Sequence, residues 1–257
     1  MKLAISGKGG VGKTTLAATL ARLYACEGKK VLAIDADPDA NLASALGCPN
    51  ADLIVPIRKM KALILERTQA QDGEFNVFFK LNPHVSDLPD QLSVEHKGVR
   101  LLVLGAVHQG GGGCACPENT FLRALLSHIV LQRDEVVIAD MEAGIEHLGR
   151  ATVEGVDALI VVVEPGQWSV NTAQGVRKLA EDIGIRRVLA VGSKVRNSAH
   201  VEFLKKGVGA IPLLGVVSYN EKLAQAGMEG GGVFEAAPEM VSEVRKVKAE
   251  IERVCSG

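Results

Sequence analysis

The sequence carries no excess of charge of either sign. Its 257 residues include 29 Lys and Arg against 30 Asp and Glu, a formal net charge of −1, and its basic pairs are scattered along the chain. Nucleic acids and anionic membranes attract proteins that concentrate positive charge. Bulk charge therefore favours neither partner, and we expect no nucleic acid and no membrane among the ligands.

Long apolar runs are also missing, and cysteines are few. No run reaches the length of a transmembrane helix, and the first residues read as an apolar strand and a glycine loop rather than a signal peptide. The five cysteines are an odd number, which argues against a disulfide framework and favours free thiols or a metal site. We therefore expect a cytoplasmic protein.

What the sequence does contain is an alternation of short apolar runs with amphipathic segments. The runs are rich in β-branched residues, as strands covered on both faces of a parallel sheet should be, and the order predicts right-handed crossovers. Strands are predicted at residues 2–6, 30–35, 99–105, 135–140, 157–165, 187–192 and 210–217. The predicted fold is α/β, a single domain over residues 1–257 with a mostly parallel twisted sheet and helices on both faces.

Two segments need separate treatment. Residues 55–97 contain one helical stretch, RKMKALILERT, and then no clear period, so we predict an insertion within the domain. Residues 238–254 place apolar side chains at helical spacing, which predicts a helix docked on the sheet. A membrane-surface helix is the alternative, but glutamates balance the basic face of this segment.

The strongest signal is the stretch GKGGVGKTT, which follows the first strand and precedes a predicted helix at residues 13–26. It fits G-x-x-x-x-G-K-[ST], in which backbone N–H groups and a helix N-terminus surround phosphate oxygens, so the domain is a predicted P-loop NTPase. Lys13 would neutralise the β- and γ-phosphates, Thr14 would ligate Mg²⁺, and Thr15 would reach the α-phosphate. The predicted nucleotide contacts here are Gly7, Lys8, Gly9, Gly10, Val11, Gly12, Lys13, Thr14 and Thr15.

Lys8 gives the loop a second lysine, and with it the pattern K-G-G-x-G-K-[ST] resembles the deviant Walker A ATPases. That family includes septum-site and plasmid-partition ATPases, the nitrogenase iron protein and several metallochaperone ATPases. The resemblance implies a homodimer that sandwiches two nucleotides, ATP or ADP, with Mg²⁺. It also implies that Lys8 of one subunit reaches the phosphates held by the other, as a cation for the charge that develops in phosphoryl transfer.

Two acidic segments fit the same resemblance. DADPDAN, residues 35–41, looks like the family's first switch, in which Asp37 would orient or activate the attacking water. The alternative is that its aspartates cap the following helix. IADMEAG, residues 138–144, resembles a Walker B segment, in which Asp140 would hold a Mg²⁺ water and the Gly144 N–H would sense the γ-phosphate. Asp140 could also be a plain turn residue.

Base recognition is predicted at the end of a late strand. GSKVRN, residues 192–197, lies where relatives carry an Asn-Lys element that touches adenine. The resemblance therefore makes Ser193 and Lys194 nucleotide contacts, although Ser193 stands where an Asn is expected. VSYNE, residues 217–221, resembles an adenine-side segment in which Ser218 replaces a proline. The preference for adenine over guanine comes from the family.

The stretch GGGGCACPE, residues 110–118, places two thiols close together in a glycine-rich loop. Cys114 and Cys116 supply half of a tetrahedral four-sulfur site, which a two-fold dimer would complete, and thiolates suit Zn²⁺, Cu⁺ or Ni²⁺. They could also be ordinary loop thiols. His108 could be an extra ligand or a solvated loop residue. The lone cysteines are predicted to be small hydrophobes: Cys26, Cys48 and Cys255.

The phosphate loop, the Cys-x-Cys-x-Glu-Asn run and the segment DMEAGIEHLGRAT together are similar to the CooC-type nickel-insertion ATPases. The resemblance covers essentially the whole chain. It implies Ni²⁺ or Zn²⁺ bound by Cys114 and Cys116 between subunits, and ATP-driven delivery of nickel to a client enzyme. That client would be carbon monoxide dehydrogenase or, as in the sister AcsF branch, acetyl-CoA synthase.

Two other functions remain open. A positioning ATPase of the septum or plasmid type, which binds membrane or DNA, would explain the phosphate loop but not the cysteines. A nucleotide-gated electron carrier with an interfacial iron–sulfur cluster would use thiols. In the nitrogenase iron protein, however, the two ligand cysteines of each subunit are far apart in sequence, whereas here only one residue separates them.

Overall fold

The computed structural model describes residues 1–70, 78–105, 116–142, 155–229 and 231–256. Within these ranges, eight strands form one sheet. They are β1 Lys2–Ser6, β2 Val31–Ala36, β3 Val94–His96, β4 Val99–Val103, β5 Val136–Met141, β6 Ala158–Val163, β7 Val188–Val195 and β8 Leu213–Ser218. Their order is β3-β4-β2-β5-β1-β6-β7-β8, and of these neighbours only β3 and β4 are antiparallel.

Helices cover both faces of the sheet, as predicted. They are α1 Lys13–Cys26, α2 Leu42–Leu46, α3 Lys61–Thr68, α4 Leu88–Leu92, α5 Pro117–Gln132, α6 Gln167–Ile183, α7 Ser198–Gly207, α8 Glu221–Glu229, α9 Val233–Ala236 and α10 Pro238–Cys255. Successive strand residues point to opposite faces. Leu32 therefore joins the core formed with α5 and α6, while Ala33 joins the core formed with α1 and α10.

The predicted strands are confirmed to within three residues at every end. The sequence prediction missed α4 and β3, which both lie inside the predicted insertion at residues 55–97. Strand β3 pairs with β4 and forms the edge of the sheet. It is three residues long, and Val94 and Glu95 are exposed, so it shows no apolar period. The insertion itself stays a prediction, but its last part belongs to the sheet.

The carboxyl-terminal helix α10 is docked on the sheet, which confirms that prediction. Its apolar side is buried at Met240, Val244, Val247 and Ile251, and these residues share a core with α1 and the strands. Among the helices that the structure describes, none combines the length and apolar character needed to cross a lipid bilayer.

The parallel strands bring their carboxyl ends to one edge of the sheet, where ligands bind in open α/β folds. The loop that contains Gly7 follows β1, and the segment that contains Asp37 follows β2. Asp140 lies near the end of the neighbouring strand β5, and Ser193 lies near the end of β7. The topology therefore gathers the predicted site at this edge.

A network of ion pairs joins β4, α4 and β5 near the opposite end of the strands. The carboxylate of Glu135, 8% exposed, accepts hydrogen bonds from Arg100 Nη2 at 2.6 Å and from Arg133 Nε at 2.9 Å. Asp90 pairs with the same two guanidinium groups. Burial by itself would raise the pKa of Glu135, but the hydrogen bonds from the two arginines lower it overall.

We expect Glu135→Gln to lower the free energy of unfolding by about 2–3 kcal/mol, because two partly buried guanidinium groups lose the buried one of the two carboxylates that they share and keep only the exposed Asp90. Asp90→Asn is the matched control, since Asp90 is 55% exposed and should cost less than about 1 kcal/mol. Urea unfolding of both variants measures the difference. Equal costs would contradict the structural role given to Glu135.

Candidate functional site

The phosphate loop, residues 7–12, connects β1 to α1 and needs glycine at both ends. Gly7 has φ +142°, and a Cβ there would lie 2.4 Å from the carbonyl oxygen of Val162, so a larger residue would push the loop away from β6. Gly12 has φ +98°, in the left-handed region, and is the N-cap residue of α1. The loop thus ends on the N-terminus of a helix, where backbone N–H groups and the helix dipole favour an anion.

The structure brings Lys13 and Asp37 together, as the sequence predicts. Lys13 is 7% exposed, and its Nζ lies 4.0 Å from Asp37 Oδ2. A cavity of roughly 470 Å³ opens beside them. Its lining includes Gly9, Gly10, Gly12, Thr14, Pro38, Asp39, Asn41 and Glu142. A buried ammonium beside a polar cavity and a helix N-terminus is an arrangement that can hold a chain of phosphates.

Thr14 and Asp140 meet across the interface of α1 and β5. The Thr14 hydroxyl donates a hydrogen bond of 2.6 Å to Asp140 Oδ2, while Asp140 Oδ1 is buried and has no hydrogen-bond partner among the described residues. Burial raises the pKa of Asp140 to about 6, against the opposing effects of Thr14 and Lys13. A hydroxyl and an unsatisfied carboxylate oxygen beside a phosphate cavity are the donors that a nucleotide-bound Mg²⁺ takes. The residues present therefore fit that ion.

Asp35 is a site residue that the sequence prediction missed. Its side chain is fully buried at the end of β2, where Oδ1 accepts the Asp37 N–H at 3.2 Å and Oδ2 accepts the Leu42 N–H at 2.9 Å. Burial raises the pKa of Asp35 to about 7, although both hydrogen bonds act to lower it. Asp35 therefore ties the segment that carries Asp37 to the sheet. The available signal was an acid that ends an apolar strand, as Asp140 does.

Ser193 and Lys194 contact the phosphate loop from its outer side. Ser193 Oγ donates a hydrogen bond of 2.6 Å to the carbonyl of Val11. Lys194 Nζ donates one of 2.6 Å to the carbonyl of Gly10 and lies 3.1 Å from Glu164 Oε2. Sequence reasoning missed these loop contacts, because they link residues more than 180 positions apart. Direct contact of Ser193 and Lys194 with the base stays a prediction.

A second cavity, of roughly 340 Å³, adjoins the phosphate loop on the side of β7 and β8. Its lining includes Thr15, Leu16, Ser193, Val217, Ser218, Leu223 and Met240. The guanidinium carbon of Arg196 lies 3.7 Å from the centre of the Tyr219 ring, and Tyr219 also lines the cavity. An apolar slot with an aromatic wall, directly beside a phosphate loop, has the chemistry of a purine site.

The remaining predicted residues are only partly placed. Cys114, Gly144 and His108 lie outside the described residues. Cys116 is partly buried at the N-cap of α5, and its sulfur accepts the Asn119 N–H at 3.4 Å. In the described ranges, no three His, Cys, Asp or Glu side chains cluster in a way that could hold a metal ion.

Lys8 and the lone cysteines can be placed directly. Lys8 is exposed and forms no ion pair with any residue in the part of the chain that the structure describes. Cys48 is buried, as expected for a small hydrophobe, and Cys255 is partly buried, whereas Cys26 is exposed. The prediction of a small hydrophobe therefore does not fit Cys26, which lies exposed at the end of α1.

Comparison with known proteins agrees with the nucleotide site. The family model described as the CobQ/CobB/MinD/ParA nucleotide binding domain matches residues 2–233. Over 240 residues the chain is 45% identical to the carbon monoxide dehydrogenase accessory protein CooC of Rhodospirillum rubrum, covering 93% of this chain and 91% of that protein. It is also 45% identical over 229 residues to an uncharacterised ATP-binding protein of Methanocaldococcus jannaschii, covering 88% of each.

A solved structure supports the fold. The MinC:MinD cell division protein complex of Aquifex aeolicus contains a chain that superimposes with a TM-score of 0.68 at 20% identity, covering 98% of this chain and 95% of that one. Because the family model spans most of the sequence and the identity to CooC extends over nearly the full length of both proteins, the chain belongs to the CobQ/CobB/MinD/ParA nucleotide-binding family, and it is a P-loop ATPase of the CooC type.

Proposed function

We propose that this ATPase is a nickel chaperone that loads carbon monoxide dehydrogenase or acetyl-CoA synthase and carries the metal on a thiolate site shared by two subunits. The observation that carries the proposal is the Cys114–Cys116 pair in a chain so similar to a carbon monoxide dehydrogenase accessory protein. A phosphate loop alone fits many functions, but closely spaced thiols in a glycine-rich loop fit few.

In the proposed hydrolysis step, Lys13 and the N–H groups of the loop hold the phosphates, and Asp37 accepts a hydrogen bond from the attacking water. Asp37 suits this role because it borders the phosphate cavity and lies 4.0 Å from Lys13. Mg²⁺, with Thr14 and Asp140 as the residues that would hold it, supplies charge neutralisation on the phosphates. Lys8 from the second subunit adds a cation, and the Gly144 N–H senses the γ-phosphate.

The cargo is Ni²⁺ or Zn²⁺, held by Cys114 and Cys116 from each subunit. Cys116 is suited to this role because the Asn119 N–H points at its sulfur from the first turn of the 16-residue helix α5, and such donors favour a thiolate. Nucleotide that draws two subunits together would complete the four-sulfur set, and separation would remove half of the ligands. ATP turnover and metal release are coupled in this way.

The alternatives account for less of the structure. A membrane-binding positioning ATPase would need a free amphipathic helix, but the apolar side of α10 is packed in the core. It would also leave the thiol pair without a role. An iron–sulfur electron carrier would use the thiols, and its cluster would be visible in the metal analysis below.

Protein purified with Ni²⁺ or Zn²⁺ should contain about one metal ion per two subunits, and Cys114→Ala/Cys116→Ala should remove it and weaken metal-linked dimerisation. Cys26→Ala/Cys255→Ala is the matched control and should retain the metal. Metal analysis together with light scattering, with and without ATP or ADP, measures both effects. Equal metal content in the two double variants would contradict the proposal, and the absorption of an iron–sulfur cluster in anaerobic protein would favour the electron carrier.

Lys13→Ala should abolish nucleotide binding. Lys8→Ala should leave binding largely intact but lower hydrolysis by roughly 10³-fold, as expected when a phosphate cation supplied by a partner is lost. Lys178→Ala, on the exposed side of α6, is the control and should have no effect. Fluorescent-nucleotide titration and phosphate release separate the two steps. Normal turnover in Lys8→Ala would overturn the role given to that lysine.

Asp35→Asn should lower the rate of ATP hydrolysis by about tenfold or more and should weaken ADP binding by less than that. One N–H of the asparagine side chain would then face a backbone N–H, which would loosen the segment that carries Asp37. Phosphate release and ADP titration measure this, with exposed Asp182→Asn as the control.

A pH series adds a second readout. Because folding raises the pKa of Asp35 to about 7, the folded protein holds the proton of this carboxyl more tightly than the unfolded chain does. The stability gained in this way is full below about pH 4 and is lost as the pH rises through about 7. The loss in unfolding free energy caused by Asp35→Asn should therefore be smaller at pH 8 than at pH 5. A cost that does not change with pH, together with unchanged hydrolysis, would contradict the role of Asp35.

A further inference from the structure

A third cavity lies beside the phosphate site, and we call it the side groove. It has a volume of roughly 680 Å³, larger than the two cavities beside the phosphate loop. Its lining includes Pro38 and Ala40 from the segment after β2, Ile54 from the stretch that leads into α3, Lys61 at the start of α3, and Glu118 from the first turn of α5. The groove therefore lies between the segment that carries Asp37 and the helix that begins just after Cys116.

The wall of the side groove is fixed to the sheet. Ile57 is buried in the core, and the N–H of Arg58 donates a hydrogen bond of 3.1 Å to the carbonyl of Leu104, just beyond β4. Gly105 has φ +76°, and a Cβ there would lie 3.4 Å from the Pro56 side chain. The short turn Ile57–Lys59 is thus held against the end of β4, so the groove is a formed feature of the fold.

The lining of the groove combines apolar and positive side chains. Ile54, Pro56 and Val103 supply apolar surface to it. Lys59 and Lys61 also line the groove, are exposed, and form no ion pair with the residues the structure describes. Large apolar side chains beside unpaired cations suit a partner that offers an apolar contact and negative charge.

The charge of the whole lining points the same way. Arg58, Lys59 and Lys61 contribute three positive charges, and Asp52 and Glu118 contribute two negative charges. This small excess in a concave, partly apolar site does not match the broad positive surface that nucleic acids or anionic lipids require. It matches a protein segment in which carboxylates flank an apolar side chain.

We propose that the side groove is the docking site for an acidic segment of the client enzyme, an inference that rests on the proposed chaperone function. The positions of two lining residues suit this partner. Glu118 lies two residues after Cys116, so a docked client would be close to the metal cargo. Pro38 lines both the side groove and the phosphate cavity, so docking would respond to the nucleotide state.

The test measures binding of nickel-free carbon monoxide dehydrogenase and, separately, nickel-free acetyl-CoA synthase to the full-length protein at low and high salt. Lys59→Glu/Lys61→Glu should weaken client binding by about tenfold or more and reduce its salt dependence. Ile54→Ser, which removes an apolar side chain from the lining, should weaken binding at both salt concentrations. ATP hydrolysis and nickel content should be unchanged in both variants. Lys205→Glu/Lys206→Glu, on exposed α7, is the matched control.

Each outcome decides one of the two proposals. Client binding that is unchanged in both groove variants overturns the groove assignment and leaves the chaperone function intact. Cys114→Ala/Cys116→Ala should still bind the client, because docking uses other residues. Wild-type protein that binds nickel but neither enzyme overturns the groove assignment and the proposed clients together, whereas failure to bind nickel contradicts the chaperone function itself. Binding of anionic vesicles or duplex DNA that is lost in Lys59→Glu/Lys61→Glu, without client binding, assigns the groove to that ligand instead.

Discussion

The candidate site depends on a cluster of three buried or partly buried carboxylates that has one buried lysine beside it. Asp35 and Asp140 lie opposite each other on the adjacent strands β2 and β5, both are buried, and Asp37 adds a third carboxylate beside Lys13. Burial, together with the repulsion between these acids, raises the pKa of Asp35 and of Asp140. One ammonium group cannot balance three carboxylates, so the cluster in its charged form costs free energy until another cation arrives. Mg²⁺ held by Thr14 and Asp140 would supply that cation, while Lys13 and the N–H groups of the loop would meet the charge of the phosphates.

The phosphate loop gains its shape from both sides. Its start is confined by the close approach of Gly7 to β6, and its end is fixed by α1. Between these points, Ser193 and Lys194 hold the carbonyls of Val11 and Gly10 on the outer side. Since a peptide group points its N–H roughly opposite to its C=O, holding the carbonyls outward leaves neighbouring N–H groups free to face the phosphates. The strand β7 thereby contributes to phosphate binding through residues that need not touch the phosphates themselves.

The sequence predicted those parts of the molecule that have a local pattern. The buried parallel strands are continuous apolar runs, and the phosphate loop has fixed spacing, so both could be placed closely. Strand β3 was not predicted, because its exposed residues show no alternation of apolar and polar side chains. The role of Asp35 was missed for another reason: the end of β2 and the segment after it carry several acids, and only the fold shows which carboxylate turns inward to accept the Leu42 N–H. The contacts of Ser193 and Lys194 with the loop are long-range, and no local pattern encodes them. The prediction that Cys114 and Cys116 form part of a shared metal site required a family resemblance, because the other two thiols would lie on a second subunit.

The position of Pro38 has a consequence for coupling between sites. Pro38 lines the phosphate cavity and the side groove and directly follows Asp37, whose backbone is held by Asp35. A change of phosphate state that moves Asp37 therefore also changes one wall of the groove. Binding free energies are reciprocal, so a client that prefers one arrangement of the groove must change nucleotide affinity by the same factor. A ligand that bound both arrangements equally would shift nothing. The contact that would make the ATPase sensitive to a client is thus the short segment after β2, which the two hydrogen bonds to Asp35 tie to the sheet.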